Sequence, residues 1–194
     1  VLEENYEQQL TKLLPWQKVS FIASLAERCF PNYKLFSEAC ETGDAKQFRL
    51  SLDLFWESLT VKNSKINFTI QFDRFEPIIP NVDKFDVYGV YPALDACVTL
   101  NSAFNSLVGP DPDVNEAINA SRVSIGTVAS YLEALAGEEL EDEVIFADEL
   151  MQEELEFQQA VLDLLTVQKS PESMKTLRQF AKNDGISNIG ITLD

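Results

Sequence analysis

Histidine is absent from all 194 residues, and that absence excludes more functions than any motif suggests. Without imidazole there is no Ser-His-Asp or Cys-His pair, no HExxH zinc site, and no Glu-x-x-His of the di-iron carboxylate bundles. Cysteine is scarce: Cys29, Cys40 and Cys97 are odd in number and lack CxxC spacing, so buried thiols in a reducing compartment are expected. No GxGxxG or GxxxxGK[ST] occurs, which removes the familiar phosphate-cradling loops. No metal site and no cofactor is expected. No run approaches the roughly 18 consecutive apolar residues of a membrane span. The start, VLEENYEQQL, has neither a basic nor an apolar leader segment, so a cytoplasmic protein without a membrane partner is expected.

Positive charge is also sparse. Fifteen Lys and Arg face 32 Asp and Glu, for a net charge of -17. The stretch from Val123 to Gln168 holds twelve carboxylates and no Lys or Arg. Such a field repels nucleic acid, anionic lipid and nucleotides, and leaves basic proteins, cations, uncharged ligands or further copies of the chain as partners. Disorder does not explain the acidity: the chain is 45% hydrophobic with seven Gly and eight Pro, an ordinary globular composition.

The apolar periodicity is helical nearly throughout, and predicts an all-α, single-domain bundle (1–194) of about seven to nine helices with a short extended tail. Pro15 opens one helix and Pro31 a second that stops at Gly43. Asp44 with Gln47 reads as a capping box, and Asn67 as the cap of the Phe68, Phe72, Phe75 stretch. Pro92 starts another helix. Asp113 with Glu116 reads as a second box before the regular line Val114, Ile118, Ser121, Ile125, Val128, Leu132, Leu135. That line predicts a seam against another helix, in the same chain or in a second subunit, which makes Val114, Ile118, Ile125, Val128 and Leu132 the candidate interface of a possible homodimer. An acidic helix from about Glu138 to Val167 is expected to turn its carboxylates away from a wide apolar face. Ser170-Pro171 opens the last helix, and the β-branched tail from Ile186 to Leu193 is expected to dock in extended form.

Few constellations carry chemistry. Glu138 and Glu141 supply the first half of the ExxE…ExxD magnesium pattern of helical pyrophosphohydrolases, but no ExxD follows on a later helix. Carboxylates set among apolar residues are more informative, because a buried charge is costly unless paired or ligating. Glu27 lies in line with Trp16, Ala23 and Phe30; Glu57 adjoins Trp56; Asp95 sits in the first turn after Pro92. Arg28, Arg49, Arg74 and Arg122 are the available internal partners. The loop Phe85-Asp86-Val87-Tyr88-Gly89-Val90-Tyr91-Pro92 is a rigid aromatic turn leading into Asp95.

Several islands occur together in order: Trp16, Ala26-Glu27-Arg28, Pro31-Asn32-Tyr33, Trp56-Glu57, Leu59-Thr60-Val61-Lys62, Tyr88-Gly89-Val90-Tyr91-Pro92-Ala93, Asp95-Ala96-Cys97 and Ser187-Asn188-Ile189-Gly190-Ile191. On these the chain resembles the YjaG-like family of bacterial proteins of unknown function, over nearly its whole length. The resemblance implies a helical bacterial cytoplasmic protein and transfers no activity or catalytic residue.

Two functional classes follow. The leading expectation is a non-enzymatic module that binds a protein partner or itself. The alternative is a carboxylate-based enzyme, or a binder of a small ligand or divalent cation, whose pocket joins Glu27, Trp56, Glu57, Tyr88, Gly89, Tyr91, Pro92 and Asp95. A weaker reading has the carboxylates Glu149, Glu153 and Glu156 imitate nucleic acid toward a basic protein.

Overall fold

The computed structural model describes residues 4–193. Among them it places nine α-helices: α1 (Glu4–Thr11), α2 (Pro15–Ala39), α3 (Ala45–Thr60), α4 (Phe68–Phe75), α5 (Val90–Val108), α6 (Glu116–Ala136), α7 (Asp142–Ala147), α8 (Glu149–Leu164) and α9 (Pro171–Ala181). The one strand-like feature among the described residues is an isolated antiparallel bridge between Ile186 and Thr192. The architecture is all-α, as the periodicity requires.

Helix α2 is the axis of the fold. It packs against α3, α5, α6, α8 and α9, and every residue from Val19 to Cys29 is buried. A helix enclosed on all sides needs small residues where neighbours approach and partners for its polar groups. Ala23 and Ala26 meet the first need. Ser20 and Ser24 meet the second by donating to the carbonyls of Trp16 and Ser20, at 2.7 and 2.8 Å. Pro31 lies inside α2 and does not open a new helix. It forfeits the bond to the Glu27 carbonyl, and burial on either side of it carries the helix through.

Caps follow local chemistry. Asp44 accepts from the Gln47 amide at 2.9 Å, but the Gln47 side chain turns to Ser51 and the Asp44 amide donates to the Tyr33 hydroxyl, so the expected box is completed by a tyrosine. Asn67 caps α4, and Ser170 with Ser173 forms the box of α9. Asn115, not Asp113, caps α6, because its side chain reaches the Ala117 and Ile118 amides. Gly137 ends α6 at φ 75°, a left-handed conformation that favours glycine. The expected single acidic helix is two: α7 stops at Asp148, whose extended backbone lets its carboxylate accept from Leu150 at 2.8 Å and start α8.

The main core centres on stacked and edge-on phenylalanines, with the Phe55–Phe68, Phe55–Phe104 and Phe75–Phe104 ring centroids 4.6–5.3 Å apart. A smaller cluster joins Ile125, Val128, Ile145, Met151 and Ile189, from α6, α7, α8 and the tail. The expected seam therefore closes within the chain. Ile125 and Val128 are buried, Ile118 and Leu132 are half-buried against the two cores, and only the ends of the line, Val114 and Leu135, are substantially exposed.

Polar groups cross the interior where α2, α6, α8 and the tail meet. Glu154 of α8 is fully buried and sits 3.2 Å from the Arg28 guanidinium, which also stacks 4.3 Å from the Phe157 ring centroid. The approach is ionic, without hydrogen-bond alignment at Arg28 Nη1. The other Glu154 oxygen accepts from Ser124 at 2.6 Å and Gln158 at 2.7 Å. Gln158 Oε1 in turn accepts from Ser121 and from the Tyr6 hydroxyl. The tail enters through Asn188, which accepts from Asn32 at 2.9 Å and donates to Ser124. It docks as a tight turn closed by Ser187 N to Ile191 O at 2.9 Å, with Gly190 at φ 79°.

Glu154→Gln leaves the buried Arg28 charge without its counter-ion and is expected to lower unfolding free energy by about 3 to 5 kcal/mol, read from denaturant midpoints at neutral pH. Arg28→Met combined with Glu154→Leu should lose much less than the two single changes together.

Candidate functional site

The sequence proposed eight pocket residues, and the fold separates them into three places. Glu27 is buried and fully engaged. Arg49 grips it with two bonds, Nη1 to Oε2 at 2.8 Å and Nη2 to Oε1 at 2.6 Å, while Arg178 Nε lies 3.4 Å from Oε1. Asp53 completes the cluster by accepting from Arg49 at 2.8 Å and from Arg178. Burial alone would depress the Arg49 guanidinium, but the hydrogen bonds and charge of Glu27, with Asp53 behind them, hold it above its ordinary value. This two-acid, two-arginine cluster clamps α2, α3 and α9 together.

Trp56 is buried in α3, and its Nε1 has no hydrogen-bond partner among the described residues. Glu57 points to solvent. The next residues, Ser58 and Leu59, line a cleft shared with Asn105 to Val108 at the C-terminal end of α5. Asp95 is near the N-terminal end of α5, about 16 Å away along the helix by its rise per residue. Trp56 and Glu57 therefore do not join the aromatic turn.

Tyr88, Gly89, Tyr91, Pro92 and Asp95 lie together at the start of α5. The helix begins at Val90, two residues before Pro92, with Gly89 at the N-cap position. Gly89 has an ordinary negative φ of -56°, and a Cβ there would meet nothing within 4 Å, so neither conformation nor space demands glycine. Tyr91 and Asp95 stand one turn apart on α5. Tyr88 lies 6.0 Å from Tyr91 and 6.3 Å from Tyr131 of α6, ring centre to ring centre. Tyr88 and Tyr91 are 39% and 53% exposed, and Leu135, one turn beyond Tyr131, is 67% exposed. The result is an open aromatic face across α5 and α6.

At its base the Asp95 carboxylate is half-buried. Thr127 Oγ1 lies 2.8 Å from Asp95 Oδ2, but also 3.0 Å from the Val123 carbonyl, so one hydroxyl proton serves two acceptors. No Lys or Arg among the described residues forms an ion pair with Asp95. Burial raises its carboxyl above the ordinary value, and the Thr127 bond only partly counters this. Tyr88 is raised as well, by burial and then by the nearby Asp95 charge and Tyr131. Thr127 and Tyr131 were missed in the sequence, where their four-residue spacing lies off the regular apolar line of α6.

Other reactive groups are muted. Burial, reinforced by the Glu154 charge, pushes the Cys29 thiol up to about 12, and burial raises Cys97 further. Neither supplies thiolate near neutrality. Among the described residues no group of three His, Cys, Asp or Glu side chains is placed to hold a metal ion, and no helix is long and apolar enough to cross a membrane.

The fold and this face define a wholly helical protein whose interior acids are matched by arginines and whose aromatic surface encloses one unmatched acid. The chain belongs to the family described as protein of unknown function (DUF416), whose profile matches residues 5–192. It is 40% identical to the uncharacterized protein YjaG of Salmonella typhimurium and 39% identical to that of Escherichia coli K12, each alignment covering 98% of both chains. An uncharacterized protein of Haemophilus influenzae is 37% identical over 94% of each chain. The crystal structure of a DUF416 family protein from Shewanella baltica superposes with a TM-score of 0.88 at 36% identity, covering 96% of this chain and 97% of that one.

The raised carboxyl has a stability consequence. Because its folded pKa lies above the unfolded one, Asp95 favours the fold fully below the unfolded value and loses that contribution as pH rises through the folded value. Asp95→Asn is therefore expected to be more stable than the parent at neutral pH, with the difference closing below about pH 4, in thermal melts across a pH series.

Proposed function

We propose that this protein is a non-enzymatic interaction module that receives a cationic side chain, Arg or Lys, of a protein partner on the face formed by Tyr88, Tyr91, Tyr131 and Asp95. One observation carries the reading: Asp95 is a half-buried carboxylate with no basic partner, beneath exposed tyrosines, in a fold that pairs Glu27 and Glu154 with arginines. A carboxylate flanked by aromatic rings suits an ammonium or guanidinium group, through charge and through cation–π contact. Tyrosine is also a residue type favoured at interface centres, since it offers area at low entropic cost.

The net charge of -17 favours a basic partner and opposes a second copy, which would bring the same charge. The regular α6 line gives little support to self-association, since its middle residues are covered inside the chain. The exposed carboxylates Glu149, Glu153 and Glu156 add long-range attraction toward a basic partner without a shaped site of their own.

An array of Arg- and Lys-containing peptides, each paired with its citrulline or Gln counterpart, tests the reading. Binding should require the cation and fall at least about tenfold in Asp95→Asn and Tyr91→Ala. Equal binding of the neutral counterparts would refute it. Sedimentation of the free protein would expose self-association instead, and retention of free arginine or a quaternary ammonium alone would identify a small-ligand site.

A further inference from the structure

A second site lies at the other end of α5. A cleft of about 680 Å³ opens between the starts of α2 and α4, the end of α5 and the α5–α6 connection. Its size falls within the roughly 300–1,000 Å³ typical of small-molecule sites. Trp16, Phe68 and Leu107 give it apolar walls, and Leu107, Val108 and Val114 are 45%, 44% and 42% exposed along its edge. This is a contiguous apolar surface left open to solvent, not scattered single side chains.

Charge in the cleft is divided by element. Lys18 comes from α2 and Lys169 from the approach to α9, with the Lys169 ammonium 5.9 Å from the Trp16 ring centroid. Neither lysine makes an ion pair with a described residue. Asp111 and Glu116 belong to the α5–α6 side and make no ion pair with either lysine. In a chain with 15 basic and 32 acidic residues, a cleft lined by as many lysines as carboxylates, Lys18 and Lys169 against Asp111 and Glu116, is a local exception to the surrounding field.

We infer that this cleft binds a small amphipathic anion, an acid with an aliphatic or aromatic body. Its acidic group sits between Lys18 and Lys169, and its apolar body lies along Trp16, Phe68 and Leu107. The carboxylates of Asp111 and Glu116 set the orientation by repelling the acid group from the α5–α6 side. The apolar walls supply most of the affinity and the lysines the choice of charge. The site is independent of the tyrosine face.

Three probes with one tail separate charge from apolar burial: decanoate, decanol and decyltrimethylammonium, below their micelle concentrations, with anilinonaphthalene sulfonate as fluorescent reporter. Decanoate should displace the reporter from one site per chain, at least about tenfold more tightly than the alcohol, with the cation weakest. Lys18→Gln combined with Lys169→Gln alters exposed and half-exposed groups and should fold normally by circular dichroism. It should remove the preference for decanoate while leaving decanol binding. Leu107→Gln should weaken all three probes, and Tyr91→Ala should leave every affinity unchanged, so this site stands or falls apart from the interaction reading. Absence of saturable decanoate binding, equal or better binding of the cation, or a charge preference that survives removal of both lysines would each overturn the assignment.

Discussion

Arg28 and Glu154 face one another at 3.2 Å in an interior where neither side chain is more than 5% exposed, and the arrangement of four elements depends on that contact. An isolated charge there would be strongly unfavourable, so each constrains where the other may lie. A leucine pair would tolerate a shift of α8 along α2 by a turn; a charge pair with fixed hydrogen-bond partners does not. Ser124 and Gln158 occupy one Glu154 oxygen, which ties α6 to the same point. Asn188 then brings the chain end onto Asn32 and Ser124. The network links residues separated by 156 positions in sequence, and so runs between elements that contribute to both hydrophobic clusters.

The same logic accounts for the fully buried acids among the described residues. Glu27 and Asp53 are held by Arg49 and Arg178, and Glu154 by Arg28. Most other carboxylates of α7 and α8 lie on exposed surface, where water screens them and the repulsion expected from a charge of -17 is weakest. Asp95 fits neither group. It is half-buried, receives a share of one hydroxyl proton, and sits at raised pKa without an arginine, although the fold uses arginines freely elsewhere. A destabilising group kept on a surface of tyrosines is the arrangement expected when the missing charge comes from outside.

Much of this was legible in the sequence wherever a local rule operates. Asp44, Asn67, Ser170 and Gly137 cap or stop helices where short polar residues or glycine announce them. Glu27 is paired with Arg49, one of the four arginines offered, whereas Glu57 and Asp95, read in the same way, have no such partner among the described residues. Rules broke down where tertiary contacts overrode them. Pro31 reads as a helix start, yet enclosure of α2 carries the helix through it. Asp148 interrupts an apparently continuous acidic helix. After the break, Met151, Glu154, Gln158, Val161 and Leu165 recur at three, four, three and four residues, and all are buried. Two polar residues on that line were the available signal for the interior network. The proposed pocket was half legible: the aromatic turn and Asp95 are local neighbours, whereas Trp56 and Glu57 belong to another region that no sequence spacing could locate.

The tyrosine face and the lysine-edged cleft ask for ligands of opposite charge and lie at opposite ends of one helix. With 19 residues, α5 is about 28 Å long, beyond the screening length near physiological salt. Direct electrostatic communication between the two sites is therefore small. Mechanical coupling would require α5 to slide against α2 and α6. Ala93, Ala96, Leu100, Ala103 and Phe104 are all buried along its length, where close packing opposes such a shift. A close-packed helix of this kind holds its two ends in fixed relation, so the two proposed sites would act independently.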